Sequence, residues 1–448
     1  MKIYDSLTRE LREFSPITPG QVTMYVCGQT VYDAPHLGHA RKDVGFDIVV
    51  RWLEASGFKV TYVRNITDID DKIISRALEL GEPIQAFTER MIARTRRDYE
   101  ALKLRPPDHE PRATEYVPQM IELAGSLAQD GYAYAEGDLF YAVRKFGGYG
   151  KLSGRRVDDL RSGERVNIDG RKRDPLDFVL WKAAKEQEPD DAKWNSPWGS
   201  GRPGWHLECS AMAKALLGKT IDIHGGGPDL RFPHHENEIA QSEAANGQAF
   251  ANWWMHVGQL DVGGEKMAKS LGNFVTLSDA VEKYSGEVVR FFFVRSHYRS
   301  PISFSETELA GAANGLARLA TTLQNHPGDG LPLDWDEAYA ARFRAEMDND
   351  FNSPGAVAVL FELVSEVNRS MSPVLARQLR ELCQVLEIGT YAASEADAET
   401  QTLVEQRDMA RRNRDFSEAD RLRDLLAARG FQVRDTPEGT KIQRMQGL

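Results

Sequence analysis

The first regular signal along the chain is an apolar run at Met24-Tyr25-Val26-Cys27, which reads as a short buried strand. A Gly- and Pro-containing loop carries the chain through Pro35. A helix rich in Val, Ile, Phe and Trp is predicted from about Gly38 to Leu53, and Val60-Thr61-Tyr62-Val63-Arg64 reads as a second strand. Strand, crossover helix and strand form a βαβ unit, and an apolar helix in the first crossover predicts an α/β fold with a doubly wound parallel sheet. In such a sheet, nucleotide chemistry belongs just beyond the first strand.

Ala86 to Gln129 reads as mostly helical. Gly131 to Trp198 instead carries alternating segments such as Leu139-Phe140-Tyr141-Ala142-Val143 among Gly, Asp and Arg clusters, which predicts an insertion into the sheet domain. The core pattern resumes at Gly204-Trp205-His206-Leu207-Glu208-Cys209 and continues through Ile221-Asp222-Ile223-His224. From about Glu306 to Ile388 the periodicity is helical, with Leu309, Leu316, Leu319, Leu323, Val357, Leu360, Leu363, Val364 and Val367 as the faces of a separate bundle. Beyond an Ala- and acid-rich stretch, the tail from Gln401 predicts one more helix pair and a short β-like end.

A chain of 448 residues, 41% hydrophobic, can bury a large core, and its length predicts two to four domains. No run of about 18 apolar residues occurs, and Met1 to Ser6 lacks the apolar centre of a signal peptide. A soluble, cytoplasmic protein with no membrane partner is the expectation. Three cysteines, Cys27, Cys209 and Cys383, predict reduced thiols or metal ligands, not a disulfide framework. A net charge of -11 excludes bulk electrostatic wrapping of nucleic acid but permits a local basic face.

Candidate chemistry gathers at a few places. His36-Leu37-Gly38-His39 falls where the first strand hands over to its helix, and the N–H groups and positive dipole end of such a terminus hold phosphates. Gly38 lets a flat nucleotide approach the backbone, while His36 and His39 share a helical face and can both donate to a reacting phosphate. Two histidines near a helix start are, by themselves, ordinary surface residues. Lys266-Met267-Ala268-Lys269-Ser270 lies about 230 residues later, after Gly263-Gly264. Two lysines on a mobile loop neutralise the charge that builds on leaving pyrophosphate, and the two motifs in this order are far more specific than either alone.

Pro233-His234-His235-Glu236-Asn237-Glu238 opens a predicted helix, so that His234 and Glu238, at i and i+4, project from one face. With Cys27 and Cys209 they offer a Cys/Cys/His/Glu set for tetrahedral zinc, although His224, His235 and Glu236 are rivals on the same grounds. Two isolated cysteines are more often small buried hydrophobes. Trp205, His206 and Asp229 are placed to line the same pocket. Thr67, Asp68, Asp70 and Asp71 follow the second strand, where the plainer reading is a loop that caps the next helix. Residues 401 to 448 carry ten basic against eight acidic side chains, net +2 against -13 for the remainder. That enrichment suits a small RNA-touching module, and equally a salt-bridged helix.

The motifs Tyr25-Val26-Cys27-Gly28, HLGH at His36 to His39, Arg64-Asn65-Ile66-Thr67-Asp68-Ile69-Asp70-Asp71-Lys72, Gly204 to Met212, Ile223 to Gly227, Phe232 to Gln241 and the lysine loop together resemble the class I cysteinyl-tRNA synthetase family over nearly the full length. The resemblance implies a Rossmann-type catalytic domain over 1–305, with a connective insertion at about 115–200 and a stem-contacting region at about 229–305. It further implies a helical bundle over 306–390 and a C-terminal α+β anticodon-binding module over 401–448. By the same resemblance, ATP with Mg²⁺ is expected at His36, Gly38, His39, Lys266 and Lys269, and one zinc per chain at Cys27, Cys209, His234 and Glu238. Thr67, Trp205 and Asp229 are the expected cysteine pocket. The implied partners are L-cysteine, ATP and tRNA(Cys), the implied state is a monomer, and no editing domain is expected.

Two departures from the family pattern stand out. HLGH replaces HIGH, an apolar swap, and KMAKS replaces KMSKS, with Ala268 removing one hydroxyl. A mycothiol-pathway cysteine ligase, which joins cysteine to an amino sugar, resembles the same core but ends without the tail module. A silent RNA-binding paralogue is opposed by the intact His36, His39, Lys266 and Lys269.

Overall fold

The protein is described from a computed structural model that covers residues 1–156, 170–186, 188–262, 265–266, 275–389, 398–428, 431–436 and 439–444. Its centre is a four-stranded, wholly parallel sheet. The strands are β1 (Gln21–Thr30), β2 (Lys59–Thr67), β3 (Ile221–Gly226) and β4 (Ala251–His256), in the order β4-β3-β1-β2. Helix α1 (Leu37–Ala55) makes the first crossover, α2 (Trp205–Leu217) leads into β3, and α3 (His234–Asn246) joins β3 to β4. The doubly wound arrangement read from the sequence is therefore present. The strands are longer than their apolar runs, because β1 extends at both ends and β2 continues through Asn65, Ile66 and Thr67. Thr67 thus closes a strand and does not belong to a loop, whereas Asp70 does cap the next helix, accepting Lys72 N–H at 2.8 Å.

Near its carboxyl end, β1 carries a bulge: pairing with β2 passes from Val26↔Arg64 to Gln29↔Ile66, so Cys27 and Gly28 together oppose Asn65. A Cβ on residue 28 would stand 1.6 Å from the Asn65 carbonyl oxygen, which admits only glycine. The bulge turns the strand end and re-aims the Cys27 side chain.

The stretch between the helix at Val117–Gln129 and α2 forms a five-stranded antiparallel sheet that includes Asp138–Tyr141 and Phe178–Ala183. Helices at Glu306–Asn325, Ala338–Met347, Ser353–Ser370 and Pro373–Val385 pack as a bundle, and all nine apolar positions named for it are buried. The tail is a helix pair, Ala398–Arg412 and Phe416–Ala428, with a hairpin of Phe431–Thr436 and Gly439–Arg444. Among the described residues no helix is long and apolar enough to cross a membrane.

Helix α1 is less apolar than its pattern suggested. Arg41, Lys42, Asp43 and Asp47 are buried on it alongside Val44, Phe46, Val49 and Trp52. Each charge is matched. Arg41 donates to the carbonyls of Phe293, His297, Tyr298 and Ser300. Asp47 accepts from Arg51 at 2.8 Å and from the fully buried Arg290 at 2.5 Å, and Arg290 also donates to Leu386 O at 2.9 Å and Leu102 O at 3.2 Å. Burial pushes the Asp47 carboxyl up, but Arg290 and Arg51 outweigh it and hold the group below the usual range. Through Arg290, which bonds both Asp47 and Leu386 O, helix α1 is tied to the bundle. Replacing Arg290 with Met leaves Asp47 buried without its main counter-charge, and the expected cost is about 3–5 kcal/mol, read from the denaturant midpoint. A shift within ~0.5 kcal/mol would show that the pair does not hold the two parts together.

Candidate functional site

Parallel strands point all their carboxyl ends the same way, and the candidate residues collect there. Cys27 comes from the bulge of β1, Cys209 from the first turn and a half of α2, and His234 and Glu238 from the first turns of α3. All four are buried. Cys27 Sγ lies 3.6 Å from Cys209 Sγ and 3.5 Å from Glu238 Oε1, and His234 Nε2 lies 3.1 Å from the same oxygen. Four donors about 2.0–2.3 Å from a tetrahedral zinc stand about 3.3–3.8 Å apart, so these edges fit within a few tenths of an ångström.

A second donor set overlaps the first: Cys27, His224, His235 and Glu238. His224 Nε2 is 2.9 Å from Glu238 Oε2 and 4.0 Å from Cys27 Sγ, with its Nδ1 3.1 Å from the Tyr25 carbonyl. His235 Nε2 is 3.9 Å from Glu238 Oε1, and its Nδ1 meets His256 Nε2 at 2.9 Å. The first set supplies two soft thiolates to the ion and the second only one. That chemistry favours the first for zinc.

The charges lean the same way. Burial pushes the Cys27 thiol up, and Cys209 and Glu238 push it further. For Cys209 burial also raises, but hydrogen bonds from Cys27 and His234 outweigh it and favour the thiolate. Glu238 is held well below the usual carboxylate range because His224 and His234 overcome its burial. Burial opposes charge on His234, yet the Glu238 carboxylate and Cys209 raise its pKa. A carboxylate and a favoured thiolate in a dry site call for a cation.

Aromatic rings stand next to these donors. Trp205, 39% exposed, stacks on the His234 ring at 4.3 Å, and His206 Nδ1 meets His234 Nδ1 at 2.9 Å. Burial and the neighbouring His234 hold His206 down to about 3. Thr67 Oγ1 donates to buried Glu208 Oε2 at 2.9 Å, while Asp229 stands exposed beside Gly227. His256 was missed by the pattern reading. It ends β4, and the rule that sites lie at carboxyl ends of parallel strands is the signal that would have found it.

His36 and His39 occupy the start of α1. His36 Nδ1 accepts from Gly38 N–H at 3.0 Å and His39 N–H at 3.4 Å, and His39 Nδ1 accepts from His36 N–H at 3.3 Å. This capping box fixes the neutral tautomer on both rings, with the proton on Nε2 as a donor, and the rings stack 3.8 Å apart. Residues 275–277 lie against them: Leu37 N–H donates to Val275 O at 3.3 Å, and Leu277 N–H to Pro35 O at 2.8 Å. The backbone of Lys266 pairs with Asp261. Ala268 and Lys269 lie outside the described residues.

The family described as the tRNA synthetases class I (C) catalytic domain matches residues 13–314, a DALR domain matches 342–389, and the cysteinyl-tRNA ligase anticodon binding domain matches 393–442. The cysteine–tRNA ligase of Herminiimonas arsenicoxydans is 56% identical over 452 aligned positions, covering 98% of each chain. That of Aromatoleum aromaticum is 55% identical over 459, covering 99% of this chain and 100% of the relative. The chain belongs to the cysteine–tRNA ligase family. Among solved structures, the fold resembles Mycobacterium tuberculosis methionyl-tRNA synthetase in complex with methionyl-adenylate, with a TM-score of 0.59 at 17% identity, covering 82% of this chain and 90% of that one. It also resembles the Agrobacterium radiobacter K84 LeuRS in a ternary complex, with a TM-score of 0.60 at 13% identity, covering 84% of each. The class I catalytic match spans Cys27, Cys209, His234 and Glu238, together with His36 to His39 and Lys266 to Ser270.

Burial holds His36 down to about 4, Asp229 opposing and Lys42 adding to the effect. The neutral ring is thus favoured in the folded state. Its contribution to stability is present above about pH 6.5 and lost as pH falls from there towards 4. The His36 ring signal in an NMR titration is expected to stay neutral from pH 8 to 5.5. A midpoint near 6.5 would mean that the ring sees bulk water.

Proposed function

We propose that this protein is a cysteine–tRNA ligase: ATP, L-cysteine and tRNA(Cys) give cysteinyl-tRNA(Cys), AMP and diphosphate through a cysteinyl-adenylate. The observation that carries the reading is the buried Cys27, Cys209, His234 and Glu238 quartet, its donor atoms within 4.8 Å of one another, in a chain whose full length matches cysteine–tRNA ligases. These four residues would hold zinc. Bound there, zinc would supply a borderline-soft Lewis acid that favours a thiolate over a serine hydroxyl and finds no ligand on alanine.

The chain's own residues do the rest. Trp205 stacks on His234 beside His206, and these rings are assigned to the side chain of the bound cysteine. Thr67 and Asp229 are assigned to the substrate's polar end. The Nε2–H groups of His36 and His39 face the α-phosphate as the cysteine carboxylate attacks it. Gly38 leaves room for the nucleotide, and Lys266 and Lys269, with Mg²⁺, draw charge off the leaving pyrophosphate. The terminal ribose hydroxyl of tRNA then takes the aminoacyl group and releases AMP. Loss of such a contact would be worth about 10⁴ in discrimination, as when a polar site rejects an analogue lacking its partner, and an editing site would then be unnecessary. The assigned roles are stem contact for 229–305 and anticodon binding for 401–448, in a cytoplasmic monomer.

Metal analysis should find one zinc per chain. Cys209→Ser is expected to lower zinc content and to reduce cysteine-dependent ATP–pyrophosphate exchange by ~10² or more. Wild-type zinc together with wild-type cysteine affinity in that variant would sink the ligand assignment. Lys269→Ala should slow adenylation by roughly 10²–10³ with a smaller effect on cysteine binding, because its charge matters most in the transition state. An unchanged rate would remove the loop from the chemistry.

A further inference from the structure

The Cys27–Gly28 peptide lies in the bulge of β1, shifted out of the regular ladder. Two side chains hold the two sides of this single peptide unit. Its carbonyl accepts from the Lys42 ammonium at 2.7 Å, and its N–H donates to Asn65 Oδ1 at 2.8 Å. Both side chains are buried, Lys42 being 6% and Asn65 2% exposed. A lysine is rarely placed in such a position without a counter-charge, and Asp43 supplies one at 3.3 Å. Asp43 is itself held by the Tyr99 hydroxyl at 2.5 Å, with Arg64 3.8 Å away.

The same two side chains reach beyond the peptide. Lys42 stands three residues after His39 on α1, so the Cys27 carbonyl is tied to the helix whose first turn carries the histidines. The Asn65 oxygen lies 3.7 Å from Cys209 Sγ, and its amide nitrogen donates to Thr67 Oγ1 at 3.4 Å. Gly28 N–H decides which end of the Asn65 amide faces it, because only the oxygen accepts. One peptide therefore links the first strand, the first helix and the second strand at the point where Cys27 leaves the sheet.

We propose that Lys42 and Asn65 are positioning residues that clamp the Cys27–Gly28 peptide from both sides and so fix the direction in which Cys27 presents its sulfur. This rests on Cys27 being a zinc ligand. A peptide in a bulge lacks the regular ladder bonds that hold its neighbours, so its plane turns readily, and the Cα–Sγ direction turns with it. Outer partners that orient a metal ligand typically change affinity by about 10–100-fold when removed. Here they orient the ligand through its backbone.

The test uses full-length, zinc-loaded protein and the variants Lys42→Met, Asn65→Ala, their double, Asp43→Asn and Cys27→Ala. Each is first checked for cooperative unfolding. Zinc release to an excess of chromogenic chelator should accelerate about 10–100-fold in either clamp variant. The KM for cysteine in pyrophosphate exchange should rise by about tenfold, with the KM for ATP within about twofold of wild type. Because both act on one peptide, the double variant should fall short of the product of the singles. Asp43→Asn keeps the Lys42 bond to the carbonyl and should release zinc at nearly the wild-type rate. If it reproduces the Lys42→Met effect, the ion pair is responsible and the clamp is wrong. A folded Lys42→Met or Asn65→Ala with wild-type release and cysteine KM overturns the proposal, and either suffices should the other fail to fold. Cys27→Ala that retains zinc would sink the ligand reading, whereas Cys27→Ala that loses it beside unchanged clamp variants sinks the clamp alone.

Discussion

Glu238 sets the terms for the whole site. Its carboxylate is fully buried, with His224 at 2.9 Å, His234 at 3.1 Å and Cys27 Sγ at 3.5 Å. A lone carboxylate in so dry a place would take up a proton, and the two imidazoles prevent it. Once Glu238 is an anion, its neighbours sort themselves around it. His234 is drawn towards its charged form, and Cys27 is pushed towards the neutral thiol beside a Cys209 that favours the thiolate. A divalent ion held there would replace the protons shared among the four donors, so the donor set suits a cation.

The fold meets that requirement by bringing together positions far apart in the chain. The donors arrive from β1, α2 and α3, and only a parallel sheet, whose carboxyl ends share one rim, gathers such segments without long loops. The same rim holds the start of α1, so the Cys/Cys/His/Glu cluster and His36 and His39 stand on adjoining elements. Helix α1 then becomes the central beam. Arg41 and Asp47 bind it to elements from 290 to 300 and to the bundle through Leu386, and Lys42 binds it to the carbonyl of Cys27. Charges inside a helix that also buries Val44, Phe46 and Trp52 cost desolvation, and each is offset by carbonyls or an opposite charge.

Local periodicity made much of this legible. The βαβ unit was readable because β1 and β2 are apolar runs flanking a long helical pattern, and the bundle because its leucines recur at helical spacing. The i, i+4 relation of His234 and Glu238 also survived intact, with Nε2 of His234 closer to the carboxylate than that of His235. What stayed hidden was non-local. Cys27 and Cys209 are 182 residues apart, and no spacing rule joins them; donor chemistry offered them alongside rivals, and family resemblance chose among these. His224 remained a rival ligand on composition, and the structure makes it the partner of Glu238 in an overlapping donor set. Thr67 looked like loop because the apolar run of β2 ends at Arg64, whereas the ladder continues to Thr67 on pairing with β1.

Lys42 shows why a polar residue in an apolar helix is hard to interpret from sequence. On a helical wheel its neighbours are buried, so the side chain reads either as snorkelling to solvent or as a flaw in the pattern. The deciding fact lies on another element: the bulge of β1 turns the Cys27 carbonyl towards α1 and offers an acceptor that a regular strand would have spent on its own ladder. Bulge, glycine and lysine are therefore one feature in three places. Gly28 permits the approach of Asn65, the approach creates the bulge, and the bulge presents the carbonyl that the Lys42 ammonium binds. A charged residue that breaks the amphipathic pattern of a buried helix is thus best read against irregularities in the strands it packs on, where unpaired backbone groups need partners.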